Sequence, residues 1–285
     1  MKINWPAIAR RGAPLRIGLF LAILMLLWGP IAIAIGLLAT WYQSERIFIV
    51  ALILLYLIFM GLLRGWGRRV HGLPRPLSYY GLTFSRRTAL WFLCSFLVGA
   101  AGVGLLFTLE IGLGWAEAEP ISQLGQTALA GLITAIGIGW AEEILFRGWL
   151  LSELEQDYSP AIALCSSSLL FALAHFIRPW AAILETWPQF LGLFLLGLAL
   201  VWAKRATTRR SQLPAGDLAA PAGLHAGLVW AYYVVDVSDW VTVSNRVPDW
   251  VTGIGGNPLA GGLGLLLLSA IALGFRSIRW QGINR

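Results

Sequence analysis

Apolar residues dominate this chain in long runs that short polar or basic segments separate. Each run is long enough to cross a hydrocarbon core of about 30 Å as a helix, which takes roughly 17 to 25 residues. The pattern therefore predicts an all-α, polytopic membrane protein with about eight transmembrane helices. The predicted spans are 17–40, 47–63, 88–113, 124–158, 161–177, 187–203, 219–235 and 259–275.

The basic residues lie almost entirely on one side of this predicted arrangement. Seventeen of the 21 Lys and Arg residues fall at the two termini and in the segments after the second and sixth spans, where Lys204 and Arg205 begin a loop. Because cytoplasmic loops carry the excess of positive charge, both termini are predicted to face the cytoplasm. His71 stands among these arginines and is predicted to lie at the surface.

Composition narrows the class of protein further. The chain is 58% hydrophobic and only 12% charged, which excludes an ordinary soluble globule. The net charge of +7 falls in short clusters between apolar runs rather than along a polar stripe, so nucleic acid is not expected as a partner. The lipid bilayer is the expected partner, and 1–285 is read as a single membrane domain. A tetrapeptide that occurs twice, Asp-Trp-Val-Thr at 239–242 and 249–252, is interpreted as an interfacial anchor.

The fourth predicted span contains charges that a membrane helix normally excludes, in the sequence Glu142-Glu143-x-x-x-Arg147. One such charge near the centre of a bilayer costs about 2.5 to 3.5 kcal/mol on insertion scales. Arg147 follows Glu143 by four residues, one helical turn, which predicts an ion pair. Glu142 has no evident partner and is the candidate for chemistry, because intramembrane acids are functional by default.

Two histidines in later spans are candidates to join this cluster. Ser159 and Pro160 predict a helix start, as N-cap and first helical residue, so the chain should turn near 158–159. A hairpin about that turn places Glu142 and His175 at one depth. The other membrane histidine, His225, lies between Gly223 and Gly227, which predict a close helix contact on a different face.

These residue types together suggest hydrolysis by an activated water molecule. A buried glutamate can act as a general base, and imidazoles can orient the water or stabilise an oxyanion. The same three residues could alternatively bind zinc as His, His and Glu, although no HExxH helix is present. They could also form the relay of a proton-coupled transporter. No Gly-x-Ser-x-Gly element indicates a serine nucleophile.

The order of these motifs resembles the CPBP family, also called ABI, which includes type II CAAX prenyl endopeptidases and bacteriocin-processing or immunity proteins. The resemblance rests on Glu142-Glu143-x-x-x-Arg147, on Phe171-x-x-x-His175 and on His225, and it covers about 124–235. It implies a CPBP-type helical core and a glutamic intramembrane endopeptidase. By the same resemblance Glu142, His175 and His225 are catalytic, while Glu143, Arg147 and Phe171 support the site.

One residue departs from the family pattern. The third motif usually carries Asn or Asp four residues after its histidine, and this chain has Val229 there. A valine cannot donate a hydrogen bond to an oxyanion, so a non-catalytic relative or an immunity scaffold is an alternative. The serines at 166–168 are candidate substitutes for the missing donor. The expected substrate is a membrane-embedded or lipidated peptide, with no cofactor and with zinc as the second possibility.

Overall fold

The protein is described by a computed structural model that covers residues 5–44, 46–121, 123–208, 216–244 and 246–283. Within these ranges the chain is almost entirely helical, as the hydrophobic pattern predicts. The helices are α1 (Trp5–Ala9), α2 (Ala13–Trp41), α3 (Ile47–Arg69), α4 (Pro76–Tyr79), α5 (Arg86–Gly112), α6 (Leu124–Glu143), α7 (Leu151–Asp157), α8 (Pro160–Ala174), α9 (Trp180–Thr186), α10 (Gln189–Ala206), α11 (Ala219–Val237), α12 (Asp249–Thr252) and α13 (Gly262–Ile283). A π-helical segment, Ile144–Leu150, joins α6 to α7, and two 3₁₀ turns, Ile254–Gly256 and Pro258–Ala260, precede α13.

Five helical segments of the described chain are long and apolar enough to cross a bilayer: α2, α3, α5, the continuous segment Leu124–Asp157 and α10. Two shorter apolar helices, α8 and the part of α13 from Gly262 to Ile278, accompany them. The chain is thus an integral, multi-pass membrane protein. Eight crossings and cytoplasmic termini stay predictions.

The hairpin between α7 and α8 forms where the sequence predicts it. The hydroxyl of Ser159 accepts a hydrogen bond from the backbone N–H of Ile162, and Pro160 is the first residue of α8. Helix α8 ends at Ala174, three residues before the predicted end of this span, and His175 occupies its C-cap. The histidine therefore lies at a helix terminus rather than inside a span.

Helix α11 is held between α5 and α6 by contacts that only small residues permit. A Cβ atom at Gly223 or Gly227 would overlap the backbone carbonyl of Phe92 or Phe96 on α5, as the glycine spacing predicts. On the α6 side, a Cβ at Gly139 would lie 2.9 Å from the carbonyl oxygen of Ala222. These close approaches bring the face of α11 that carries His225 towards the end of α6.

A buried polar cluster fastens the N-terminal helices to α7. Glu153 is fully buried, and its carboxylate accepts hydrogen bonds from Arg16 Nε at 2.7 Å and from Trp66 Nε1 at 2.8 Å. His71 Nε2 lies 2.7 Å from the same carboxylate, and the His71 side chain is only 9% exposed. The surface position predicted for His71 is wrong, because its partner lies 82 residues away and is not evident from the neighbouring arginines.

The two copies of Asp-Trp-Val-Thr adopt different structures. In the first copy, Val241–Val243 forms a strand that pairs antiparallel with Ala116–Ala118, and these two short strands make up the sheet of the described residues. The second copy is the helix α12. Trp250 of that helix is 68% exposed, as an interfacial anchor requires, and Trp240 of the first copy is 38% exposed.

Candidate active site

The glutamate pair lies where the fourth helical segment changes its geometry. Glu142 and Glu143 end α6, and the π-helical segment begins at Ile144. π-helical turns occur frequently at functional sites, because they leave backbone groups outside the regular hydrogen-bond ladder. Within this segment, the carbonyl of Arg147 accepts a hydrogen bond from Lys204 Nζ at 2.6 Å.

Lys204 contacts the site through the carbonyl of Arg147, and its position was predicted wrongly from the sequence. The charge pattern puts Lys204 and Arg205 in a cytoplasmic loop, but both residues belong to the last turn of α10 and are buried. Arg205 instead pairs with Glu155 at 2.7 Å. The available signal was the unbroken apolar run before Lys204, which allows the helix to continue through both residues.

Glu143 is fully buried and carries two contacts on one oxygen. Arg147 Nη1 donates to Glu143 Oε1 at 3.0 Å, so the ion pair expected from the i, i+4 spacing is present. Nδ1 of His225 lies 2.9 Å from the same oxygen. Because a carboxylate held by an arginine only accepts, Nδ1 of His225 is the donor and its Nε2 remains for another partner.

Arg147 is stabilised on three sides although it is completely buried. Besides Glu143, its guanidinium donates to the carbonyl oxygen of Gly197 at 3.3 Å. The guanidinium carbon also lies 4.1 Å from the ring centre of Phe171, a cation–π contact. Removing a charge from water is costly, and these contacts together offset the cost.

Glu142 and His175 form a looser pair. Oε2 of Glu142 lies 3.8 Å from Nε2 of His175, and the two side chains are 32% and 27% exposed. Nδ1 of His175 lies 2.8 Å from the carbonyl oxygen of Phe171, which only accepts, so this nitrogen carries the proton. In the neutral ring, Nε2 is then an acceptor that faces a carboxylate oxygen, so the two atoms need a donor between them, a role that one water molecule can fill.

Phe171 joins the two halves of the site. Its ring centre lies 4.6 Å from that of His175 and 6.1 Å from that of His225. Its face also contacts Arg147, as described above. The structure thus brings together all six residues that the sequence singles out, as two Glu–His pairs on either side of one aromatic ring.

Val229 lines an apolar cavity of about 120 Å³ together with Leu228 and Tyr232, one helical turn beyond His225. This cavity beside Val229 is also lined by Asn257, whose side chain carries an amide. Of the three candidate serines, Ser167 makes a long contact of 3.5 Å to the carbonyl of Phe146. The hydroxyl of Ser168 is buried without a hydrogen-bond partner among the described residues.

Zinc ligation would require at least three donors around one point. In the part of the chain that the structure describes, no group of three His, Cys, Asp or Glu side chains has that arrangement. Each histidine instead faces a different glutamate. The expectation that no cofactor is needed stays a prediction.

Comparison with known proteins adds an independent finding. Residues 124–231 match the family model described as type II CAAX prenyl endopeptidase Rce1-like. The match extends from the start of α6 into α11 and includes the six site residues and Val229. No curated protein and no solved structure gives a significant match to the chain. The match confirms the resemblance drawn from the motifs: residues 124–231 are similar to the Rce1-like family of type II CAAX prenyl endopeptidases.

Proposed function

We propose that this protein is an intramembrane endopeptidase of the glutamic type, which hydrolyses a peptide bond near the carboxyl end of a lipidated or membrane-associated substrate. The observation that supports this proposal best is the state of Glu142. Its Oε2 is a buried oxygen without a hydrogen-bond partner, and it faces Nε2 of His175 across 3.8 Å. Buried polar atoms are nearly always satisfied, so an orphaned carboxylate oxygen beside an imidazole supports a place for a reactant. Oε2 of Glu143 is also without a partner among the described residues, but Arg147 and His225 hold the other oxygen of that carboxylate. The Glu142–His175 pair, in contrast, is partly exposed.

In the proposed first step, Glu142 and His175 hold a water molecule that donates one hydrogen to each. The oxygen lone pairs of that water are then free to attack a carbonyl carbon. As the C–O bond forms, the proton that the water donates to Glu142 moves to that carboxylate, the other stays on the attacking oxygen, and the carbonyl oxygen becomes an oxyanion. When the C–N bond breaks, Glu142 returns that proton to the leaving amine.

His225 is proposed to stabilise the oxyanion. Glu143 accepts a hydrogen bond from Nδ1 of His225, which leaves Nε2 of the ring for another partner. When the ring is protonated, Nε2 is a donor. Arg147 compensates the charge of Glu143 and keeps this carboxylate from competing as a base. The two glutamates therefore have separate roles, one towards water and one towards a histidine.

The partial exposure of Glu142 and His175 suits a substrate that arrives within the membrane. A fully enclosed pair would need the helices to separate before a peptide could reach it, whereas this pair is about one-third exposed. A lipid anchor would keep the peptide at the bilayer and raise its local concentration there. Substrate class and mechanism are both parts of the proposal.

Cleavage of a synthetic peptide with a prenylated cysteine and three further residues tests this function. Purified protein in proteoliposomes is expected to release the terminal tripeptide, detected by mass spectrometry, and to do so in the presence of a zinc chelator. Glu142→Ala and His175→Ala are expected to abolish release while retaining the helical circular dichroism of the wild type. Cleavage by folded Glu142→Ala protein would reject glutamate-activated water, and chelator inhibition reversed by zinc would favour the metal alternative.

A further inference from the structure

Three arginines at the end of α3 form a cluster that the proposed active site does not use. Arg64, Arg68 and Arg75 line one cavity of about 180 Å³, together with Ser78. All three are exposed. Among the described residues, no carboxylate or other acceptor pairs with any of these guanidinium groups.

The backbone fixes the position of Arg75 against α3. The N–H of Leu73 donates to the carbonyl of Gly67 at 2.8 Å, which folds the chain back onto the helix immediately after its end. A Cβ atom at Gly67 would lie 2.6 Å from Cβ of Pro76, so only glycine permits this contact. Because Pro76 is buried and directly follows Arg75, its packing fixes the backbone position of Arg75 relative to α3.

This arrangement is unfavourable unless an anion is present. Arg64 and Arg68 are four residues apart on one helix face, and like charges at that spacing repel. Arg16, Arg147 and Arg205 in the same molecule each pair with a carboxylate. A phosphate offers several oxygens that match the planar fork of a guanidinium, and arginine is the residue that binds phosphate in this bidentate manner.

The position of the cavity indicates which phosphate it meets. The apolar part of α3 ends at Leu63, directly before Arg64, so the cavity lies where a hydrocarbon core gives way to headgroups. Pro74 and Leu77 add apolar surface to its wall. Basic pockets beside transmembrane helices bind the headgroups of anionic lipids.

We propose that Arg64, Arg68 and Arg75 form a binding site for the phosphate headgroup of an anionic phospholipid. This site is separate from the Glu142–His175 pair and does not depend on catalysis. In this proposal the end of α3 and the segment before α4 contact a lipid headgroup. The neighbouring buried cluster at Glu153 instead forms contacts between helices of the protein.

Binding of short-chain fluorescent phosphatidic acid to the detergent-solubilised protein tests the proposal. The triple variant Arg64→Gln, Arg68→Gln, Arg75→Gln is expected to raise Kd about 100-fold, since each arginine near an anionic lipid surface contributes about fivefold. The control variant Arg10→Gln, Arg11→Gln, Arg86→Gln removes the same charge from three exposed arginines outside the cavity. It should bind within about threefold of the wild type.

Two results would overturn the assignment. If the control variant loses as much affinity as the cavity variant, the binding follows general surface charge and there is no built site. If inorganic phosphate at millimolar concentration displaces the lipid probe, the ligand is a free phosphate and the lipid assignment is wrong. Equal thermal unfolding midpoints for the wild type and both variants establish that folded proteins are compared.

Discussion

Two glutamates on one helical segment have opposite surroundings. Glu153 on α7 is fully buried, and both of its carboxylate oxygens accept short hydrogen bonds, from Arg16 on one oxygen and from Trp66 on the other. Glu142 at the end of α6 is one-third exposed, and its nearest ionisable neighbour, His175, is 3.8 Å away. The same side chain thus serves as a structural connection in one place and as an available base in the other.

The difference separates stabilising charge from reactive charge within a membrane protein. A carboxylate whose lone pairs are all occupied holds helices together, and it cannot accept a proton from a reactant without losing those bonds. A carboxylate with an unused oxygen gains little stability and remains free to act. Substitutions at the two positions should therefore be detected by different measurements.

Of these substitutions, Glu142→Gln is expected to have the largest effect, and it should act on the rate of peptide cleavage. The amide cannot take a proton from water, so peptide cleavage should fall by about 10²- to 10⁴-fold, the usual contribution of a general base. The thermal midpoint should change little, because Oε2 has no hydrogen bond to lose. Glu185→Gln, at an exposed glutamate on the nearby helix α9, is the matched control. Equal activities of these two variants would contradict the assigned base.

Glu153→Gln should act on stability instead. The neutral amide leaves the buried Arg16 with Asp157, at 3.2 Å, as its remaining carboxylate. The loss should therefore approach, but not exceed, the cost of about 3 to 5 kcal/mol for removing one partner of a buried ion pair. Denaturant unfolding in detergent measures the loss. Glu155→Gln provides the control two residues further along α7, where the partly exposed pair with Arg205 is expected to contribute about 1 kcal/mol or less. A Glu153 variant as stable as its control would remove the distinction between the two glutamates.

Val229→Asn should increase the rate of peptide cleavage. The side chain lies one helical turn beyond His225 and lines the apolar cavity, so an amide there adds a donor on the face of α11 that carries His225. We expect kcat to rise about tenfold, below the 100-fold or more that a preformed oxyanion-hole donor contributes. The isosteric control Val229→Thr tests whether a hydroxyl suffices. A fall in kcat with unchanged KM would show that the apolar wall itself is required.

The smallest effect is expected for His71→Gln within the structural cluster. This change removes one contact to Glu153 while Arg16 and Trp66 remain, and a single hydrogen bond contributes about 0.5 to 1.5 kcal/mol. The unfolding free energy should fall by that amount, without a change in peptide cleavage. A loss as large as that of Glu153→Gln would mean that the histidine organises the whole cluster.

Features with local causes could be predicted from the sequence. The hairpin at Ser159 and Pro160, the glycine contacts of α11 and the Glu143–Arg147 pair depend on neighbours within a few residues or on a strict spacing. The resemblance to the family could also be predicted, because the motifs that carry it lie within the matched segment. The roles of Glu142, His175 and His225 are still predictions, although the structure brings them into one region.

Contacts between residues that are far apart in the sequence could not be predicted from it. His71 is held by Glu153, and Lys204 by the carbonyl of Arg147, 57 residues earlier. The repeated tetrapeptide shows the same limit more directly. The last two residues of its first copy belong to a strand because Ala116–Ala118 lies beside them, and its second copy forms a helix after Pro248. Identical local preferences give two structures, since tertiary partners override them.

The π-helical segment between the two glutamates gives their separation a geometric cause. In an uninterrupted α-helix, Glu142 and Glu153 would be about three full turns apart and would point in nearly the same direction. An additional residue in one turn rotates everything beyond it by about 100° about the helix axis. Glu153 can then face α2 and α3 while Glu142 faces α8. Deleting one residue from 144–150 would leave ten residue steps between the two glutamates, which a regular α-helix also turns through about 1000°, so the angle between them should be kept while the π-helical geometry beside Glu142 is lost. The inserted position thus lets eleven steps of sequence give the angle of ten, which directs the reactive and the structural glutamate to different sides of this helix.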